Sequence, residues 1–146
     1  MKAKKKKEKL KILVTGGSGR FGSTLKKIKT LHNLIFPTKK QLDILNINSI
    51  RKNIRKYKPD IFIHMAGLSR PMNIHDKNII NSISLNIIGT ANVTIACSEK
   101  NIKLIYFSTN FVYPGTKGNF SENSDLNPFN NYGWSKLGGE TSVRLY

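Results

Sequence analysis

Leu10–Gly22 reads LKILVTGGSGRFG, an apolar run that breaks into glycines at 16, 19 and 22. A continuous apolar stretch ending in glycine predicts a buried strand over Leu10–Gly16. The G-x-x-G-x-x-G spacing that follows predicts a tight turn into a helix. Each glycine has its own task in such a turn. Gly16 permits the exit from the strand, Gly19 lets a pyrophosphate approach the backbone, and Gly22 lets the helix pack closely on the sheet. N–H groups at a helix start face an anion. Alone this pattern fits any glycine turn. At the first strand and first helix of an alternating chain it points to dinucleotide binding.

Outward from that stretch, the chain alternates. Phe21, Leu25, Ile28 and Leu31 recur at helical spacing over 19–32. Asn33–Pro37, NLIFP, predicts a second strand closed by proline, and Leu42–Leu45, LDIL, a short third. Ile47, Ile50, Ile54 and Tyr57 predict an amphipathic helix over 47–58, broken by Lys58-Pro59-Asp60. Asp60–Ala66, DIFIHMA, is the next strand, residues 76–100 a long helix, and Ile102–Ser108 a fifth strand. Gly, Pro, Asn and Ser fill 113–131, a loop, before a last helix from Asn131. Strands alternating with helices imply right-handed βαβ units. The expected fold is α/β: a Rossmann-type doubly wound parallel sheet of about five strands with helices on both faces. Residues 1–9 are expected to form a basic tail and 10–146 an NAD(P)-binding domain. The last strand would have no further neighbour and would expose an apolar edge.

Length and composition set the bounds. The 146 residues correspond to one domain or part of one. With 25 Lys+Arg against 8 Asp+Glu the formal charge is +17. Seven lysines fall within the first eleven residues, and removing that segment still leaves +11. The remaining charge is scattered among Ile and Asn rather than interleaved with aromatics. It is therefore read as a solvated tail plus compositional drift, and not as a nucleic-acid surface. No apolar run approaches a membrane span of ~18 residues. The basic start leads into an apolar run too short for a signal peptide. The single cysteine, Cys97, excludes an internal disulfide framework and fits a reducing, cytoplasmic compartment. His32, His64 and His75 lack metal-ligand spacing, so no metal is expected. Cys97, Phe107, Phe111 and Tyr113 are expected to pack, and Trp134 to be exposed or to meet substrate.

Two further features bear on chemistry. The second strand ends in Phe36-Pro37, then Thr38-Lys39-Lys40, where an Asp or Glu would hold a ribose 2′-hydroxyl. Lys39, Lys40 and Arg20 would instead attract a 2′-phosphate. The expected cofactor is NADP(H), with NAD(H) as the alternative. Tyr132 and Lys136 lie four residues apart, on one face of a helix. An ammonium one turn from a phenol favours the phenolate that general acid–base chemistry uses. Thr109 closes the fifth strand and can hydrogen-bond the same substrate oxygen.

These segments together resemble the extended short-chain dehydrogenase/reductase superfamily. The matching stretches are TGGSGRFG at 15–22, LDIL at 42–45, IFIHMAG at 61–67 and NIIGTANV at 86–93. Tyr106–Glu140, YFSTNFVYPGTKGNFSENSDLNPFNNYGWSKLGGE, is most similar to the dTDP-4-dehydrorhamnose reductase branch and its nucleotide-sugar epimerase and dehydratase relatives. The resemblance implies that Tyr132 is the general acid/base, with Lys136 as its partner and a ribose contact. Thr109 would orient the substrate carbonyl. Gly16, Gly19 and Gly22 would cradle the pyrophosphate, and Arg20, Phe21 and Lys39 are expected among the other cofactor contacts. Asp43 and Ile44 would line the adenine, Ala66 and Gly67 would pass beside the cofactor, and Asn86 would match a helix asparagine. Gly67 stands where relatives commonly carry another small residue, a departure read as harmless.

The implied activity is NAD(P)-dependent reduction of a nucleotide sugar. The alternatives are an epimerase or dehydratase, or a non-catalytic NADP-binding chain. A homodimer is implied by the family alone. Such relatives run to about twice this length. The expectation is therefore the cofactor half with the catalytic dyad, lacking the C-terminal strands and substrate lobe.

Overall fold

The computed structural model describes residues 8–116 and 118–146. The expected basic tail thus lies largely outside the described residues, and its described end, Glu8 and Lys9, is exposed.

Strand β1 (Lys11–Thr15) is followed by helix α1 (Arg20–Leu25), β2 (Asn33–Ile35), α2 (Ile47–Tyr57) and β3 (Ile61–His64). Then come the one-turn helix α3 (Ile74–Lys77), α4 (Ile79–Ser82), a π-helical turn over Ile83–Ile88, and α5 (Gly89–Ser98). Strand β4 (Lys103–Tyr106), a short 3-10 turn (Asn110–Val112) and α6 (Asn131–Arg144) complete the order. All strand pairs are parallel, in the order β2-β1-β3-β4. Connections leave β1 in opposite directions to β2 and β3, so the order reverses there. In such sheets ligands lie in the crevice outside the carboxyl ends of the strands at that reversal.

The doubly wound fold is as expected, but with four strands among the described residues rather than about five. Leu42–Leu45 alternates like a strand, and Leu42 and Ile44 are buried, yet it pairs with no strand. Its backbone groups are satisfied locally instead. Leu42 N–H donates to the Thr38 carbonyl, Leu45 N–H to Asp43 Oδ1, and Asn92 Nδ2 to the Ile44 carbonyl. The helix expected over 19–32 stops at Leu25. Phe21, Ile28 and Leu31 stay exposed, so no burial rewards their spacing, and a short helix without packing does not persist.

Caps fix the other boundaries. The Asn46 side chain accepts from Asn48 N–H and Ser49 N–H to start α2, and Lys58 closes it in the left-handed region at φ 48° ahead of Pro59. Asn130 accepts from Gly133 N–H at 2.7 Å to start α6.

One row of side chains crosses the whole sheet: Ile35, Leu13, Phe62 and Leu104 are in register. They join Ile50 and Ile54 of α2 and Val93, Ala96 and Cys97 of α5 in the main core. Side chains alternate across a strand, so Val14, Ile63 and Ile105 form the opposite row. That row goes from fully buried Val14 to Ile105, 37% exposed on the edge strand β4. The continuous helix Ile79–Ser98 is long and apolar enough, by length and composition, to cross a membrane, a feature missed by looking for uninterrupted apolar runs. Here its Val93, Ala96 and Cys97 fill the core. Burial pushes the Cys97 thiol up to about 12, which keeps it inert at neutral pH.

Candidate active site

A cleft of about 660 Å³ opens at the carboxyl ends of β1 and β3. Its floor is the glycine loop. Gly16 has φ +78°, and a Cβ there would lie 2.7 Å from the Ala66 nitrogen and the Met65 carbonyl carbon. A Cβ on Gly22 would run into the Gly16 carbonyl oxygen and, at 2.6 Å, Gly17 Cα. Gly19 differs: a Cβ there would meet only the Gly16 carbonyl oxygen, at 3.3 Å, so its outer side is open. Gly16 and Gly22 thus close the loop against the segment after β3 and against itself, while the Gly19 N–H donates to the Gly16 carbonyl at 3.0 Å. The first turn of α1 has no side-chain cap.

Every residue assigned to cofactor contact by sequence, apart from Tyr132 and Lys136, lines this cleft. Gly16, Gly19, Arg20, Phe21 and Gly22 form one wall; Lys39, Asp43 and Ile44 another; Ala66 and Gly67 a third. Lys40 is not among the lining residues. Ser69 and Arg70 line it as well and were not anticipated, because nothing in their spacing marks them.

Gly67 turns out to be required by its surroundings. A Cβ there would sit 2.8 Å from Asn86 Oδ1. Asn86 is buried in the π-helical turn. Its Oδ1 accepts from Leu68 N–H at 2.7 Å, while its Nδ2 donates to the Leu68 carbonyl and to Ser135 Oγ, both at 2.8 Å. Ser135 Oγ donates in turn to the Tyr132 carbonyl. This asparagine therefore ties the cleft wall after β3 to the start of α6. π-Turns commonly occur at functional sites.

Tyr132 and Lys136 share one face of α6, and Thr109 precedes the turn after β4, where its hydroxyl accepts from Phe111 N–H at 3.4 Å. None of the three lines the cleft. The Tyr132 ring packs on His75 at 4.9 Å and edge-on to Phe111 at 5.6 Å. Lys136 is buried, donates from Nζ to the Phe107 carbonyl at 2.7 Å, and lies 4.1 Å above the Tyr106 ring. Burial pulls its pKa down to about 8, opposed by Glu140.

Behind the cleft, His64 Nδ1 meets Thr15 Oγ1 at 2.8 Å and Nε2 meets Thr90 Oγ1 at 3.1 Å. Burial, then the Lys136 charge, takes this imidazole down to about 3, so it is neutral. Phe107 lies at the surface, not in the core, tilted at 50° against Phe21 at 4.9 Å, and Trp134 is exposed. Among the described residues no group of three or more His, Cys, Asp or Glu could hold a metal ion.

The family model described as the RmlD substrate binding domain matches residues 10–146. The chain belongs to this family. Among its relatives, the methionine adenosyltransferase 2 subunit beta of Danio rerio is 29% identical over 142 residues, covering 91% of this chain and 43% of that protein. The spore coat polysaccharide biosynthesis protein SpsK of Bacillus subtilis is 30% identical over 139 residues, covering 92% and 48%. The crystal structure of dTDP-4-dehydrorhamnose reductase from Bacillus anthracis in complex with NADP superimposes with a TM-score of 0.88 at 29% identity, over 94% of this chain and 50% of that one. The chain therefore spans about half the length of the relatives it matches. The RmlD-type assignment agrees with the family resemblance carried by residues 15–22 and 106–140.

Proposed function

We propose that residues 10–146 form the dinucleotide-binding part of an NAD(P)-dependent nucleotide-sugar reductase. The observation that carries this reading is the cleft itself. It sits at the strand-order reversal, its loop has no room for side chains at Gly16 and Gly22, and the first turn of α1 beside it carries no side-chain cap. That donor set fits a pyrophosphate. Arg20 and Lys39 are among four cationic residues that line the cleft, with Lys26 and Arg70, which favours a 2′-phosphate and hence NADP(H) over NAD(H). The related Bacillus anthracis reductase was crystallised with NADP, which supports the same choice.

When bound, such a cofactor supplies the hydride. The chain's own residues would handle the proton and the carbonyl. Tyr132 donates its phenolic proton to the carbonyl oxygen, Thr109 hydrogen-bonds that oxygen, and Lys136 provides the neighbouring cation. The Phe107 carbonyl fixes the Lys136 ammonium at 2.7 Å, so its position is set before any ligand arrives. Proton transfer contributes only when the carbonyl lies within hydrogen-bond reach.

Fluorescence titration of the chain with NADPH and NADH at two salt concentrations tests the reading. Tighter NADPH binding is expected. Equal affinities would remove the preference, and no binding of either would overturn the function.

A second reading, a cofactor-binding chain without turnover, is favoured by one observation: Thr109, Tyr132 and Lys136 do not line the cleft. The resemblance to a protein named as a subunit beta fits it too. NADPH oxidation with 4-keto nucleotide sugars separates the two. Turnover abolished by Tyr132→Phe supports the enzyme; cofactor binding without turnover supports the second reading.

A further inference from the structure

His75 is 1% exposed on the one-turn helix α3, yet a polar atom of its ring is left over. Its Nδ1 meets Ser82 Oγ at 2.8 Å, and Ser82 is itself buried. Its Nε2 is buried with no hydrogen-bond partner among the described residues. The ring's other neighbour is Tyr132, with centroids 4.9 Å apart and planes at 47°. The residue next to His75 repeats the contact, since Asn131 Nδ2 donates to Asp76 Oδ1 at 2.8 Å. Two consecutive residues of α3 thus meet two consecutive residues at the start of α6. The segment leading into α3 carries Ser69 and Arg70, which line the cleft. Burial holds the imidazole below the ordinary histidine pKa, against the opposing influence of Asp76 and the Ser69 backbone.

We propose that His75 is a positioning residue for Tyr132: its imidazole, moored on Ser82, fixes the orientation of the phenol ring relative to the cleft wall. The proposal rests on the reading of Tyr132 as the proton donor. Phe111 bounds the same ring edge-on from another side, so His75 removes the remaining freedom of the ring. A phenylalanine would fill the space and satisfy the core better, but it could not be held by the Ser82 hydroxyl. The nitrogen that moors the ring brings the orphan nitrogen with it.

The test uses the full chain with carbon-13 at the tyrosine ring ε positions. The Tyr132 resonance is assigned by its loss in Tyr132→Phe, with Tyr57 and Tyr113 as internal controls. In His75→Ala the ring-current displacement of the Tyr132 signal should be lost while the controls stay in place. Ser82→Ala should move Tyr132 in the same direction by less, and Ser82→Thr, which keeps the hydroxyl, should restore it. If His75→Ala fails to fold, the Ser82 pair decides. A Tyr132 signal that stays put in Ser82→Ala, or that moves no more than Tyr113, overturns the proposal. Absence of NADPH binding by the unsubstituted chain would overturn the functional reading instead and leave this ring readout unaffected.

Discussion

The glycine cleft and the start of α6 differ in what their residues are doing. Around the cleft, Gly16 and Gly22 are packed against neighbouring backbone, while the uncapped start of α1 and cations such as Arg20 and Lys39 line the space a ligand would take. At α6, each group is already engaged: Lys136 with the Phe107 carbonyl, Tyr132 between His75 and Phe111, and Thr109 with the turn it begins. The first region offers an uncapped helix start and cationic walls. The second is an internally paired scaffold whose chemistry depends on a substrate delivered to it. Binding and turnover should therefore separate experimentally in this chain.

The largest effect expected is at Gly16. Its φ of +78° disfavours any L side chain, and a Cβ would press on the backbone of Met65 and Ala66. Gly16→Val should destabilise the chain by about 2 kcal/mol or more, as read by urea unfolding, and abolish cofactor binding. A folded Gly16→Val chain with unchanged NADPH affinity would show that the loop is a plain turn.

Next in size are two pH effects behind and beside the cleft. His64 takes up a proton below about 6.5 when unfolded but only near 3 when folded. Stability should therefore fall as pH drops from 6.5 towards 3, by up to ~1.4 kcal/mol per pH unit. Lys136 is held at about 8 against an ordinary 10.5, so the folded chain binds fewer protons between those values. Stability should rise as pH climbs from 8 to 10.5. His64→Asn should flatten the acid limb and Lys136→Met the alkaline one. Unfolding curves that show no such change would mean that neither group is as dry as its packing implies.

A smaller effect should distinguish two adjacent lysines. Lys39 lines the cleft and Lys40 does not. Lys39→Glu should cost NADPH roughly tenfold, ~1.4 kcal/mol, and narrow or reverse the preference over NADH, whereas Lys40→Glu should leave the ratio intact. Equal losses from both would reduce the preference to a general basic field. Deleting residues 1–9 should have the least effect, less than tenfold on NADPH affinity at moderate salt.

The cleft was legible in the sequence because backbone geometry at Gly16 and Gly22 admits one residue type, and the alternating order of strands and helices locates the loop. The recurrence of Ile47, Ile50, Ile54 and Tyr57 marked α2, although the Asn46 and Asn130 caps that start α2 and α6 were seen only in the structure. Alternation misled at Leu42–Leu45, where Leu42 and Ile44 are buried by α2 and α5 without any strand partner. Helical spacing misled over 19–32, where Ile28 and Leu31 stay exposed and Phe21 turns to Phe107 at the surface. The contacts of His75 with Tyr132, Asn86 with Leu68 and Ser135, and Lys136 with Phe107 join segments far apart in the chain, which no local pattern encodes.

The cleft is expected to bind a dinucleotide without help from the Tyr132 hydroxyl. Amide resonances of the chain, followed as NADPH is added, test it most directly. Shifts concentrated at residues 15–22, Lys39, Asp43–Ile44 and Ala66–Gly67, retained in Tyr132→Phe, are the expected result. No saturable shifts, or shifts spread over the exposed lysines and abolished by salt, would contradict it.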